Sequence, residues 1–164
     1  MDVRLRPPRL ADEVEFRAAH EVMAEEDFVF GRGLADGMPF ADYLTALAEL
    51  RAGTTVPAGM VPATFLVAEV AGEIVGRTSI RHELNDYLFR EGGHIGYCVL
   101  PVHRRRGYAT EILRQSLVVA RAAGVDRVLV TCDEDNDASG RVIESCGGRL
   151  DPVPGVAKRR YWIG

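Results

Sequence analysis

One stretch of this chain leaves few folds open: Val99-Leu100-Pro101-Val102-His103-Arg104-Arg105-Arg106-Gly107-Tyr108-Ala109-Thr110. Upstream, His94 to Val99 reads as a strand, with β-branched or aromatic residues at Ile95, Tyr97 and Val99. Gly96 within it marks a bulge or a close approach of backbones. Pro101 ends the strand, because proline donates no ladder hydrogen bond. Downstream, Ala109, Ile112, Leu113, Ser116, Leu117 and Ala120 recur at helical spacing. The spacing predicts an amphipathic helix from Gly107 to Ala123, closed by Gly124. Strand, tight turn and helix mouth aim several free N–H groups and the positive end of a helix dipole at one point. That point suits a phosphate or pyrophosphate.

Length and charge bound the rest. The 164 residues read as one domain, 1–164, long enough for a real core. With 20 Lys and Arg against 24 Asp and Glu the net charge is −4, so the whole chain has no pull toward nucleic acid or an anionic membrane. Arg104 to Arg106 are then a local feature. The three cysteines, Cys98, Cys132 and Cys146, are an odd number without a cationic-then-apolar leader. They read as reduced thiols of a cytoplasmic protein. No apolar run has membrane-spanning length. No pair among His20, His82, His94, His103 and the cysteines has zinc-site spacing, so no metal is expected.

In order, Val3 to Arg6 alternates as a short strand stopped by Pro7-Pro8. Asp12 is placed to cap a helix running to about Glu25 with Val14, Ala18 and Val22 on one face. Tyr43, Leu44, Leu47 and Leu50 mark a second helix ending before Gly53. Thr64 to Ala71 and Glu73 to Arg81 form a hairpin through Ala71-Gly72. A polar connector, His82 to Glu91, precedes the central strand. After the long helix come a near-continuous apolar strand, Asp126 to Cys132, and a short helix opened by Asn136. Two final strands, Arg149 to Pro152 and Lys158 to Ile163, end the chain.

The dinucleotide and P-loop glycine patterns are absent. What is present, Arg104-Arg105-Arg106-Gly107-Tyr108-Ala109, resembles the coenzyme A loop of the GNAT superfamily of acyl-CoA-dependent N-acyltransferases, an Arg/Gln-x-x-Gly-x-Gly/Ala pattern. Asn136-Asp137-Ala138-Ser139, followed by Glu144-Ser145-Cys146-Gly147, is similar to that family's later motif. The resemblance covers roughly Thr64 to Gly164. It implies an α/β (α+β) GNAT fold: a mixed twisted sheet of about seven strands, helices on both faces, and central strands that splay apart.

It also implies acetyl transfer from acetyl-CoA to the primary amine of a small molecule or peptide, without metal. Backbone of Tyr97, Cys98 and Val99 is then expected to pair with pantetheine, and an N–H near Val99 to face the thioester oxygen. Amides of Arg105, Arg106, Gly107, Tyr108, Ala109 and Thr110 would hold the pyrophosphate, beside the charge of Arg104. Asn136 and Ser139 complete the cofactor set. The pattern departs from the family at the proton handlers, where Ile143 stands for the usual Tyr and Thr131 for a frequent carboxylate. His94, Tyr97, Glu83 and His82 remain as candidates, with His94 the first choice of base because His titrates near working pH. A catalytically silent acyl-CoA sensor on the same fold is the alternative reading. Acidic residues in the first helices suggest a cationic acceptor, and Arg77, Arg81 and Arg90 one bearing a carboxylate. Phe28, Phe30, Phe40 and Tyr43 either line the acceptor site or pack the helix pair on the sheet. A homodimer is compatible with such a fold.

Overall fold

The computed structural model describes residues 2–164. Along the chain run β1 (Arg4–Arg6), α1 (Glu13–Ala24), α2 (Phe40–Ala52), β2 (Ala63–Val70), β3 (Glu73–Arg81) and β4 (Ile95–Val99). They are followed by α3 (Tyr108–Ala122), β5 (Val128–Asp133), α4 (Asp137–Ser145), β6 (Arg149–Leu150) and β7 (Lys158–Ile163). The strands form one seven-stranded sheet in the order β1-β2-β3-β4-β5-β7-β6. Every neighbouring pair is antiparallel except β4–β5, which the α3 crossover makes parallel. The mixed sheet and the order of elements agree with the fold expected from the motifs.

Each face of the sheet carries a helix pair. Leu113, Leu117 and Ala120 of α3 and Ile143 of α4 pack with Ile80, Ile95, Val128 and Val130 on one face. Phe16, Ala19 and Met23 of α1 and Phe40 and Tyr43 of α2 pack with Phe65, Val67, Ile74 and Cys98 on the other. Phe16 is the hub of this second core, with ring centroids 5.1 Å from Phe30, 5.3 Å from Phe40 and 5.7 Å from Tyr43. Phe30, Phe40 and Tyr43 are therefore core residues that seat the helix pair.

The face of α1 differs from the expectation. Val14 is 85% exposed, whereas Phe16, Ala19 and Met23 are buried. Both sets have helical spacing, and the aromatic one wins because it buries more apolar area. Asp12 is not the expected side-chain cap of α1. Its carboxylate accepts from the Arg9 N–H at 2.8 Å and from Arg6 at 2.7 and 2.9 Å, and Arg6 also donates to Glu69 at 2.7 Å. This cluster ties β1, the start of α1 and β2 together, and the Arg6 guanidinium holds the Asp12 carboxyl below the usual carboxylate range.

The hairpin between β2 and β3 turns on Ala71 (φ 51°) and Gly72 (φ 85°), two successive left-handed residues as a tight hairpin requires. Among the described residues, no helix is long and apolar enough to cross a membrane.

Candidate functional site

β4 has one closed edge and one open edge. On the closed side it pairs with β3 from Ile95↔Ile80 to Val99↔Gly76 without interruption, so Gly96 is no bulge. The Arg81 N–H donates to the His94 carbonyl at 2.7 Å, and the Leu100 N–H to the Val75 carbonyl at 2.8 Å. Antiparallel alternation then turns the main-chain groups of Gly96 and Cys98 toward β3 and those of Tyr97 and Val99 away from it. On the open side β4 meets β5 at the single register pair Ile95↔Val130. Beyond it the strands separate, because β4 follows β3 while β5 is held along Val128–Asp133 by β7. The gap expected between the central strands is present. Cys98, expected to offer backbone to it, is paired with Arg77 of β3 instead, and its thiol is buried against α1 and α2. Burial pushes that thiol's pKa up.

At the mouth of the gap the chain makes a 3-10 turn, Pro101–His103, and enters α3 through two left-handed residues, Arg105 (φ 63°) and Gly107 (φ 81°). Alternating left- and right-handed residues fold successive N–H groups into a concave anion nest. The six amides from Arg105 to Thr110 donate to no acceptor among the described residues. They open to solvent at the positive end of a 15-residue helix. Arg105 and Arg106 are exposed beside them. Arg104 is committed elsewhere: its Nε donates to the Val99 carbonyl at 3.0 Å, and its Nη2 and Nη1 to Glu26 at 2.8 and 3.2 Å. It straps the loop to the end of α1 and uses the Val99 carbonyl, so only the Val99 N–H remains for the gap. No sequence signal announces this strap, since its ends lie 78 residues apart.

Two hydroxyls meet across the gap on the α3/α4 side. The Tyr97 hydroxyl lies 2.9 Å from Ser139 Oγ in the first turn of α4. Asn136 caps that helix, its Oδ1 accepting the Ser139 N–H at 3.1 Å, which leaves the amide nitrogen to face outward. Burial pushes the Tyr97 pKa up to about 12, so its phenol stays protonated and serves as a donor. Ile143 of α4 is fully buried against the sheet, and the Thr131 hydroxyl donates to the Glu91 carbonyl. Neither handles protons here.

His94, the first choice of base from sequence, has no free lone pair to act with. Its Nδ1 accepts the Leu129 N–H at 2.9 Å, and its main-chain N–H donates to the Leu129 carbonyl at 2.7 Å. With Nδ1 accepting, Nε2 carries the proton. Burial lowers its pKa to about 4, and it stands on the face opposite Tyr97, edge-on to Trp162. It is a clasp between β4 and β5. Glu83 sits exposed in the connector after β3, and His82 pairs with Thr64 at 2.8 Å. The structure brings together Tyr97, Val99, the 105–110 amides, Asn136 and Ser139, and leaves His94, Glu83 and Cys98 outside. Among the described residues no cluster of His, Cys, Asp or Glu is arranged to hold a metal.

The fold recurs in solved structures. RimJ of Mycobacterium smegmatis, solved with CoA-disulfide, superposes with a TM-score of 0.67 at 21% identity, over 98% of this chain and 79% of that one. YncA of Salmonella typhimurium, solved with acetyl-CoA, gives 0.61 at 17% identity, over 98% and 91%. An acetyltransferase of Agrobacterium tumefaciens gives 0.64 at 21%, over 99% and 90%. No curated protein matches the sequence significantly. The family model described as acetyltransferase (GNAT) domain matches residues 2–149. With that match over the splayed sheet and its open anion loop, the chain belongs to the GNAT acetyltransferases.

Proposed function

We propose that this chain, as a single domain, moves the acetyl group of acetyl-CoA to a primary amine by direct attack on the thioester. The observation that carries this reading is the run of six unpaired amides, Arg105 to Thr110, at the end of the β4 edge that opens inside the sheet. The amides would hold the pyrophosphate, with Arg105 and Arg106 adding charge and Arg104 fixing the loop. Main chain of Tyr97 and Val99 offers the bonding groups of a missing strand, which suits the amide-bearing pantetheine arm. Asn136 offers its outward amide nitrogen to the same arm. The Val99 N–H is the donor available to a developing oxyanion, where one such bond contributes about 3 kcal/mol.

The amine nitrogen attacks the thioester carbon, the C–N bond forms and the C–S bond breaks. The departing thiolate takes a proton from the Tyr97–Ser139 hydroxyl pair, the amine gives its extra proton to water, and water returns one proton to the pair, so the phenol is restored and the hydroxyls are left unchanged over the cycle. A base on the protein is dispensable when the amine arrives neutral, and a thiolate with a pKa of about 8.5 leaves with modest acid help. Ile143 and Thr131 favour a second reading, a silent acyl-CoA sensor.

Two measurements decide. Calorimetry with CoA tests the loop: Gly107→Val forces a β-branched residue to φ 81° and breaks the nest, and we expect CoA affinity to fall by about a hundredfold or more. Unchanged affinity would remove the basis of both readings. Thiol release across a panel of amines then separates them, since tight CoA binding without turnover identifies the sensor.

A further inference from the structure

The α1/α2 side of the β4–β5 opening carries the guanidinium groups of Arg77 and Arg81, and the carboxylates at its rim, Glu26 and Asp133, are already paired with Arg104 and Lys158. Arg77 and Arg81 stand in one row of β3, facing α1 and α2. The residues between them fix the alternation: Thr78 bonds to Ser116 of α3, and Ile80 packs in the core beneath α3. Arg77 is 3% exposed and spends all three nitrogens on main chain, with Nε to the Phe30 carbonyl at 3.0 Å, Nη1 to Gly96 at 2.9 Å and Nη2 to Val29 at 2.7 Å. It fastens the segment between α1 and α2. No ion pair among the described residues includes Arg32, Arg77 or Arg81. Buried charges without a counter-ion are costly, and carbonyl dipoles offset only part of that cost.

Arg81 differs from Arg77 in being unfinished. Its Nη1 makes long bonds to the Gly92 and Gly93 carbonyls, at 3.2 and 3.4 Å. Its Nε and Nη2 donate to nothing among the described residues, and neither is sealed from solvent. The guanidinium lies on Gly96, where an added Cβ would stand 3.2 Å from Nη1 and 3.5 Å from Nη2. Gly96 directly follows Ile95, the last β4 residue paired with β5. The free Nε/Nη2 edge therefore lies where the strands begin to part, on the side opposite the Tyr97–Ser139 pair. The charged and titratable groups acting on Arg81 are Arg77, Arg32 and Tyr87. Burial, then Arg77 and Arg32, lowers its pKa to about 10, which still leaves it cationic.

We propose that the acceptor is an amine that also bears a carboxylate, and that Arg81 receives this carboxylate through Nε and Nη2. The proposal rests on the acetyl transfer argued above. A guanidinium edge with two parallel N–H donors matches the two oxygens of a carboxylate. The same positive field disfavours an ammonium, so the bound amine loses its proton more readily and attacks as the neutral base. A polyamine, which offers only positive charge, is repelled by this surface.

The test compares α-amino acids with the corresponding α-amino amides as acceptors for the full chain, by thiol release from acetyl-CoA. We expect kcat/KM for the acids to exceed that for the amides by about tenfold or more. Arg81→Met should erase the preference by slowing the acids alone, with the KM for acetyl-CoA unchanged, and Arg81→Lys should keep part of it. A merely structural Arg81 would slow both sets equally, and that result overturns the assignment. Acetate added to the unaltered protein should compete with the amino acid and not with acetyl-CoA; absence of competition counts against the site without relying on any variant. Amides turned over as fast as acids would overturn this proposal and leave acetyl transfer standing. No turnover with either set would overturn this proposal, and only its extension to every amine of the wider panel would overturn acetyl transfer as well.

Discussion

The two edges of β4 share five residues and have opposite fates. Toward β3 the strands run so close that a Cβ on Gly76 would sit 2.2 Å from the Cys98 carbonyl oxygen. Toward β5 one register pair and the His94–Leu129 clasp hold, and then the ladder stops. The composition of β4 is the same for both edges, so the difference comes from its neighbours. A glycine in β3 allows full closure, while β5 is drawn off by six residues of pairing with β7. An edge left open inside a sheet, with its main chain unpaired, is a place for an extended ligand to complete the ladder.

The closed edge is the easier to break. Gly76→Val would put a side chain into the Cys98 main chain, which cannot yield as a flexible side chain does. We expect a loss of at least about 3 kcal/mol, near the upper end for overpacking, seen as a lower urea midpoint. A variant of normal stability would mean that the β3–β4 edge has slack, and the contrast with the β5 side would lose its force.

Acid should sharpen the contrast from the other side. His94 is buried with its Nδ1 accepting from Leu129, and its pKa is lowered to about 4 from an ordinary value near 6.5. Its contribution is fully present above the unfolded value and is lost as pH falls from about 6.5 toward 4, up to about 3 kcal/mol. The bond lost on protonation is one of the few that hold β4 to β5. Urea midpoints measured against pH should therefore decline over this window. His94→Asn, which keeps an acceptor and cannot titrate there, should flatten the decline; an equal decline in the variant would assign the acid sensitivity to other groups.

How much of this was legible in the sequence divides along the same line. Local chemistry was readable: Pro101, Gly107 and the apolar spacing from Ala109 to Ala120 located the strand end, the left-handed residue and α3. The hairpin at Ala71-Gly72 and the last strand, Lys158–Ile163, were equally local. What depended on distant partners was not readable. The inward face of α1 was decided by Phe30, Phe40 and Phe65 meeting Phe16. His94 could be named from its side chain alone, but its role came from an amide 35 residues away. The main chain of Cys98 faces β3 because main-chain groups alternate along a strand as side chains do, and which set meets the gap is decided by the β3 register. Tyr97 and Ser139 were each legible and their pairing was not, since only the fold sets them 2.9 Å apart.

That pairing leads to the smallest predicted effect and the most discriminating one. Tyr97→Phe removes a single hydroxyl whose partner, Ser139, is half-exposed and free to turn to water. Stability should change by no more than about 1 kcal/mol, and CoA affinity should be unaffected, because Tyr97 offers the gap its main chain, which the variant keeps. If the hydroxyl pair protonates the departing sulfur, kcat near pH 7 should fall by about tenfold, at the lower end for a general acid because a thiolate leaves readily. The deficit should shrink as pH rises past about 8.5, where the thiolate no longer needs a proton to depart. A deficit that is constant with pH would mean that the ring positions the open edge without donating a proton. No deficit at any pH would move the proton path to water, and the two sides of β4 would then differ in geometry alone.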